Sequence, residues 1–377
     1  SYQYIIILNF YILIFKGIIM NTKRWLKIWI ILTFLSIPTL ILINYIVDPL
    51  NILHTKFLKY DFQNNERFIK VEYLDKNNYK YNSYLFGSSR IGTTHTKDIE
   101  KYIPNSKFYN LTVSLGNFYD YLNHLKYFLK KNYKLDNIYL QIDIGNMGYY
   151  GNSNLGYLGK LYPPVIDESL DMFYIKYLTS FLPMSIKGKI QLNINNNKES
   201  ENHIFTTGIQ TNSKKEQLLN SNCKEYIKNE PTFHRSNKRV FSAIFVNETI
   251  EALKNIVKLS KENNISLYVF TTPYNKNMMD TVKINDYLEF LKSISKVVNF
   301  YDFTGYNSIT VNNCNYYEHS HYRPLVGKLI AARIFKDNTV EIPEDFGVYI
   351  NEDTIENHLV NLRHQIDKYD SNKTLSK

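Results

Sequence analysis

Cysteine is nearly missing from this chain: Cys223 and Cys314 are the only two in 377 residues. In an oxidising compartment they can pair, yet nothing in the sequence sets their separation in space, and two free thiols are the expectation. There is no Cys-x-x-Cys, and the nine histidines are scattered. The one close pair, His319 and His321, has the i, i+2 spacing of a strand-borne metal site but no second ligand pair beside it, so no metal and no other cofactor is expected. A dense basic run is also lacking. The formal charge is +10, from 45 basic and 35 acidic residues, but the lysines are dispersed and no nucleic-acid-binding signature accompanies them, which excludes a nucleic acid partner. Dispersed positive charge leaves two readings open, a bias toward acidic partners and a merely solvated lysine surface.

What is present begins with an apolar run. Ile28 to Val47 is 20 positions without a charge, which as a helix spans about 30 Å, the thickness of a bilayer's hydrocarbon. Lys23, Arg24 and Lys27 precede it and Asp48 follows. That asymmetry predicts a single-pass helix with its N-terminal side cytoplasmic and the bulk of the chain outside. No small-x-small cleavage pattern follows the run, which argues for an anchor over a removed signal peptide. Met20 stands directly before the basic cluster, so residues 1–19 are expected to be an upstream extension, 20–47 the membrane anchor, and 48–80 a polar juxtamembrane connector.

Beyond residue 80 short apolar runs alternate with helical spacing. Strands are predicted at Asn82–Phe86, Lys107–Leu111, Asp136–Ile142, Ile265–Phe270 and Val297–Asp302. Helices are predicted over 118–132, 247–263, 286–296 and 325–335, with the first showing apolar residues at Phe118, Tyr121, Leu122, Leu125 and Leu129. Strands separated by helices of this length imply right-handed crossovers and a parallel sheet, an α/β fold. The stretch 151–240 interrupts this pattern with Pro163-Pro164, Pro183 and the polar run Asn193–Asn202. It reads as an insertion carrying a helix near Asp171–Phe181, with Tyr149, Tyr150 and Tyr157 at its entrance. The residues after Glu341 read as a charged tail with a helix over 354–369.

The chemistry-bearing residues lie at two distant places. Phe86-Gly87-Ser88-Ser89-Arg90 closes the first predicted strand, and Glu318-His319-Ser320-His321 comes late in the chain. A serine hydroxyl becomes a useful nucleophile only with a base in hydrogen-bond reach and an acid to orient that base. Glu318 and His321, three apart, would supply both from one helical turn. Arg90 is expected to be an ion-pair partner at the sheet edge.

In their order these segments resemble the SGNH/GDSL hydrolase superfamily, and within it the membrane-anchored branch similar to proteins of alginate O-acetylation and teichoic acid D-alanylation. Gly87-Ser88-Ser89-Arg90 matches the nucleophile block with Ser89 in the serine's place. Tyr109-Asn110-Leu111-Thr112-Val113-Ser114-Leu115-Gly116 resembles the second block and points to Gly116 as an oxyanion donor. Glu318-His319-Ser320-His321 matches the Asp-x-x-His block, with Glu in place of Asp. Where the family has Gly-x-Asn-Asp, this chain has Asp143-Ile144-Gly145-Asn146, so Asn146 is the candidate amide and Asp143 an equally polar alternative. Thr272-Pro273-Tyr274 after the fourth strand is also similar to that branch.

The resemblance runs from about Tyr81 to Phe335. It implies a three-layer α/β/α, flavodoxin-like domain over 81–340, with the insertion 151–240 and a tail 341–377. It further implies Ser89, His321 and Glu318 as catalytic residues, with Ser89, Gly116 and Asn146 at the oxyanion. The implied activity is that of a serine O-acyltransferase or esterase on a cell-envelope polysaccharide, fed by a multi-spanning membrane acyltransferase, at the bacterial cytoplasmic membrane with the main domain outside. A non-catalytic accessory with the same fold stays open as the alternative.

Overall fold

The computed structural model describes residues 22–48, 52–54, 65–151, 159–180, 203–204, 206–235 and 238–375. Residues 1–19, Tyr157, Pro183 and the run 193–202 lie outside these. The chain divides into two units, residues 1–60 with 171–196, and residues 61–170 with 197–377.

In the first unit, helix α1 (Thr22–Val47) contains a 23-residue segment, Arg24–Ile46, long and apolar enough to cross a membrane. Its length and composition fit a membrane anchor or a signal peptide. Asn44, near its end, donates its amide to the carbonyls of Leu178 (2.7 Å) and Ser180 (2.9 Å) at the end of the helix Leu170–Thr179. The last carbonyls of a helix lack intrahelical donors, and the Asn44 amide supplies one there.

The second unit is built on a six-stranded sheet. Its strands are β1 (Ser83–Phe86), β2 (Phe108–Asn110), β3 (Asn137–Ile142), β4 (Ser266–Thr271), β5 (Phe300–Asp302) and β6 (Val348–Ile350), in the order β2-β1-β3-β4-β5-β6. The first five run parallel. β6 pairs antiparallel with β5, so the sheet is mixed but mostly parallel, in keeping with the α/β fold and parallel sheet expected from the sequence. At three residues, β6 is too short for its alternation to register.

Every residue of β1 and β3 is buried, as strands covered on both faces must be, and their sequences are accordingly mainly apolar, the exceptions being Ser83, Asn137 and Gln141. Tyr84 and Phe86 point to one face, where helix α3 (Phe118–Lys130) lays Phe128 4.9 Å from the Tyr84 ring and Tyr121 6.2 Å from the Phe86 ring. Asn117 and Asp120 start α3 with a reciprocal capping box. Leu85 points to the other face and shares a core with Tyr139, Phe270 and, from helix α7 (Pro324–Ile334), Val326 and Ile330. Helix α5 (Val246–Glu262) packs on α3, while helix α6 (Ile284–Ser295) packs against α8 (Ile355–Leu375).

Two segments outside the predicted pattern belong to this unit. Helix α2 (Glu66–Asn77), within the expected connector, buries Phe68, Val71 and Leu74 together with Glu66, Arg67 and Lys70. In the expected tail, His358 of α8 bonds Asp302 at the end of β5 (2.7 Å). At the insertion's entrance, Tyr149 is exposed with its ring 5.9 Å from Phe241, and Tyr150 lies edge-on to Tyr119.

In a sheet of order 2-1-3-4-5 the chain leaves β1 in both directions. The crevice beyond the C-terminal ends of β1 and β3 is where such sheets bind ligands.

Candidate functional site

The loops after β1 and β3 meet at that crevice. Gly87 ends β1, and Ser89–Ile91 forms a single 3₁₀ turn capped by Ser88, whose hydroxyl accepts from the Arg90 N–H at 3.3 Å. Ser89 Oγ lies 2.9 Å from His321 Nε2. His321 Nδ1 is hydrogen-bonded to Glu318 Oε1. Burial alone would raise the Glu318 carboxyl, but the hydrogen bond and charge of His321, the charge of His319 and the Ser320 N–H outweigh it and lower it to about 2. An ionised carboxylate can only accept, so Nδ1 carries the proton and Nε2 is left to accept from the Ser89 hydroxyl. The structure thus brings Ser89, His321 and Glu318 together in one hydrogen-bonded run.

Glu318 and His321 do not share a helical turn, as their spacing predicts. Residues 317–321 form a bend closed by the antiparallel bridge of Tyr316 with Tyr322 and by the Tyr317 N–H on the His321 carbonyl (2.9 Å). Ser320 then donates its N–H (3.0 Å) and hydroxyl (3.1 Å) to the Glu318 carboxylate, fixing it from within the loop. His319 Nδ1 faces the other carboxylate oxygen at 3.3 Å.

The bend is held from the insertion. Cys223 of helix α4 (Ser213–Asn229) is disulfide-bonded to Cys314, across 91 residues, in place of the two free thiols expected from the sequence. Burial of Arg323 beside Glu216 (2.6 Å), together with the Tyr226 hydroxyl on the Tyr317 carbonyl (2.6 Å), joins the same helix to the same loop. A disulfide together with an apolar N-terminal helix suggests a secreted or anchored extracytoplasmic domain. Replacing both cysteines with serine is expected to cost about 2–4 kcal/mol, the usual effect of opening a long covalent loop. A urea titration of the variant against the native protein measures it.

The two further oxyanion candidates are placed differently. Gly116 sits against the nucleophile loop, where an added Cβ would lie 2.6 Å from the Gly87 carbonyl oxygen and 3.0 Å from that of Val113. Its own N–H, however, donates to the Val113 carbonyl (2.9 Å), because Leu115 adopts left-handed backbone (φ 54°) and closes a tight turn. Asn146 is fully buried; its Oδ1 accepts the Asp143 N–H (2.6 Å), and its buried Nδ2 meets no hydrogen-bond partner among the described residues. Since backbone oxygens cannot rotate aside, Gly116→Ala is expected to displace the loop before Ser89, destabilising the fold by about 1–3 kcal/mol and slowing any Ser89 reaction.

Asp143 is the residue whose importance the sequence understated. It is 1% exposed, and its Oδ2 accepts from Ser88 Oγ and Arg90 Nη1, both at 2.8 Å. Its Oδ1 accepts from the Gly145 N–H (2.6 Å) and the Tyr274 hydroxyl. Arg90 also lies over the Tyr274 ring at 5.1 Å. Gln141 accepts the Ser88 N–H (2.7 Å) and reaches Thr272. In the sequence this network showed only as separate pieces: the ion pair expected of Arg90, the polar Asp143 after β3 and the Pro-Tyr following β4. No family model matches the chain, and no curated protein matches it.

Proposed function

We propose that this chain is a membrane-anchored, extracytoplasmic serine acyl-transfer protein of the SGNH kind, an O-acyltransferase or esterase acting on a cell-envelope polysaccharide. The observation that carries the reading is the run of contacts Ser89 Oγ, His321 Nε2 (2.9 Å) and Glu318 at the C-terminal edge of a parallel sheet. In this reading Ser89 attacks an acyl carbonyl while His321 takes its proton. The tetrahedral intermediate then collapses, His321 returns that proton to the leaving group, and the acyl group stays on Ser89. A polysaccharide hydroxyl or water, deprotonated by His321, attacks the ester and restores Ser89. The apolar helix α1 favours a site held at the membrane surface, where a multi-spanning acyltransferase would supply the acyl group.

A second reading is supported by the turn that engages the Gly116 N–H and by the sealed Asn146 amide. Oxyanion donors contribute a few kcal/mol each to acyl transfer. A chain lacking the Gly116 and Asn146 donors would suit an accessory that binds polymer or an acyltransferase partner.

The test is labelling of the full chain, in detergent, with a fluorophosphonate probe. Labelling that disappears in Ser89→Ala and in His321→Ala is the expected result. A folded chain that takes no label overturns the acyl-transfer reading in favour of the accessory.

A further inference from the structure

We propose that Asp143 is a positioning residue for the nucleophile, gripping the residues on both sides of Ser89 so that the serine hydroxyl is turned away from the carboxylate and toward His321. The proposal rests on the acyl-transfer reading of Ser89. The Ser88 hydroxyl and the Arg90 guanidinium converge on one oxygen of Asp143, each at 2.8 Å. With the side chains before and after it drawn to one partner, Ser89 is left pointing the other way, and there His321 Nε2 stands 2.9 Å from its Oγ. The grip is itself fixed. The Asp143 backbone N–H is tied to Asn146 Oδ1 (2.6 Å), and its second carboxylate oxygen holds Gly145 and Tyr274.

The chemistry requires a carboxylate. Five donors arrive at its two oxygens, from Ser88, Arg90, Gly145, Tyr274 and, at 3.4 Å, Gln141, and one of them is a guanidinium only 15% exposed, so a neutral amide would offer one oxygen and turn an NH₂ toward Arg90. Ser88 occupies the position before the nucleophile, and its hydroxyl both donates to Asp143 and accepts from the Arg90 N–H. Ser88 thus links the carboxylate to the 3₁₀ turn.

A carboxylate that merely stabilises the sheet edge would lower folding stability when removed without moving Ser89. The test therefore uses two variants and two readouts. Asp143→Asn removes the charge, while Ser88→Ala leaves the Asp143–Arg90 pair intact and deletes the grip on residue 88 together with the Ser88 cap on the Arg90 N–H. Fluorophosphonate labelling rates, corrected for the folded fraction, are expected to fall about 100-fold in Asp143→Asn, the scale of a misplacement near 1 Å, and about 10-fold in Ser88→Ala, with the pH midpoint of labelling unchanged in both. Hydrogen exchange is expected to quicken in the peptide covering 86–92 in both variants, while the peptides of β3 and β4 keep their protection in Ser88→Ala. Native labelling rates in folded Ser88→Ala and Asp143→Asn, or unchanged exchange over 86–92, overturn the proposal. If the native chain takes no label, acyl transfer fails, and exchange over 86–92 alone decides whether Asp143 holds this loop.

Discussion

Glu318→Gln is expected to slow acylation of Ser89 about 10³–10⁴-fold while leaving the fold intact, as loss of the orienting acid does where a serine and histidine depend on one. The glutamine is nearly isosteric, but its NH₂ can face His321 Nδ1 and favour the tautomer with the proton on Nε2, which cannot accept from Ser89. Because the native carboxyl lies at about 2, it stays ionised across any practical assay, so the loss does not come from titration of Glu318 itself. Stability follows the same group. Its contribution is complete above the ordinary carboxyl value of about 4.5 and is lost as pH falls through about 2, because the unfolded chain takes up the proton first. The gap in urea midpoint between native and variant chains should therefore be flat above pH 5 and close below it. A Glu318→Gln chain that labels at the native rate would reduce the site to a serine–histidine pair.

What could be read from residues alone was whatever is local. β1 and β3 are buried along their whole length and β4 over its last three residues, so burial leaves mainly apolar runs whose ends the sequence places within one residue of the observed bounds. Helix α3 announces itself by Phe118, Tyr121, Leu122 and Leu125 on one side. Helix α2 does not, because its buried side includes Glu66, Arg67 and Lys70, and a hydrophobic period cannot reveal a face built partly from charges. At the site, Ser89 and the Glu318–His321 pair stand out as short motifs. Their meeting depends on the order of five strands, and the bend that joins Glu318 to His321 depends on the Tyr316–Tyr322 bridge. Asp143 was legible only as a polar residue after β3, since its partners come from positions 88, 90, 141, 145 and 274. The disulfide was illegible for the same reason, its cysteines lying 91 residues apart.

The buried charges of α2 lead to the largest stability effect expected in this chain. Arg67 Nε and Nη2 meet the two oxygens of Asp120 at 2.8 and 2.9 Å, with side chains 2% and 0% exposed, and Nη2 also reaches the Leu115 carbonyl (3.2 Å). One turn on, Lys70 Nζ donates to the carbonyls of Asn110 (3.1 Å), Thr112 (2.7 Å) and Gly208 (2.7 Å). Together the two side chains fasten the loop 110–117, whose Gly116 abuts the Gly87 carbonyl two residues before Ser89. Arg67→Met keeps most of the volume but leaves the Asp120 carboxylate buried without its guanidinium. The expected cost is about 3–5 kcal/mol, read as a shift in urea midpoint. Adding Asp120→Leu should recover much of that loss, because a well-packed apolar pair is close to neutral with a buried ion pair. It should not recover all of it, since Asp120 also accepts the Asn117 N–H (3.1 Å) that opens α3, a cap worth about 1 kcal/mol. If Arg67→Met unfolds within about 1 kcal/mol of the native chain, α2 is an adornment of this domain and not the brace behind its nucleophile loop.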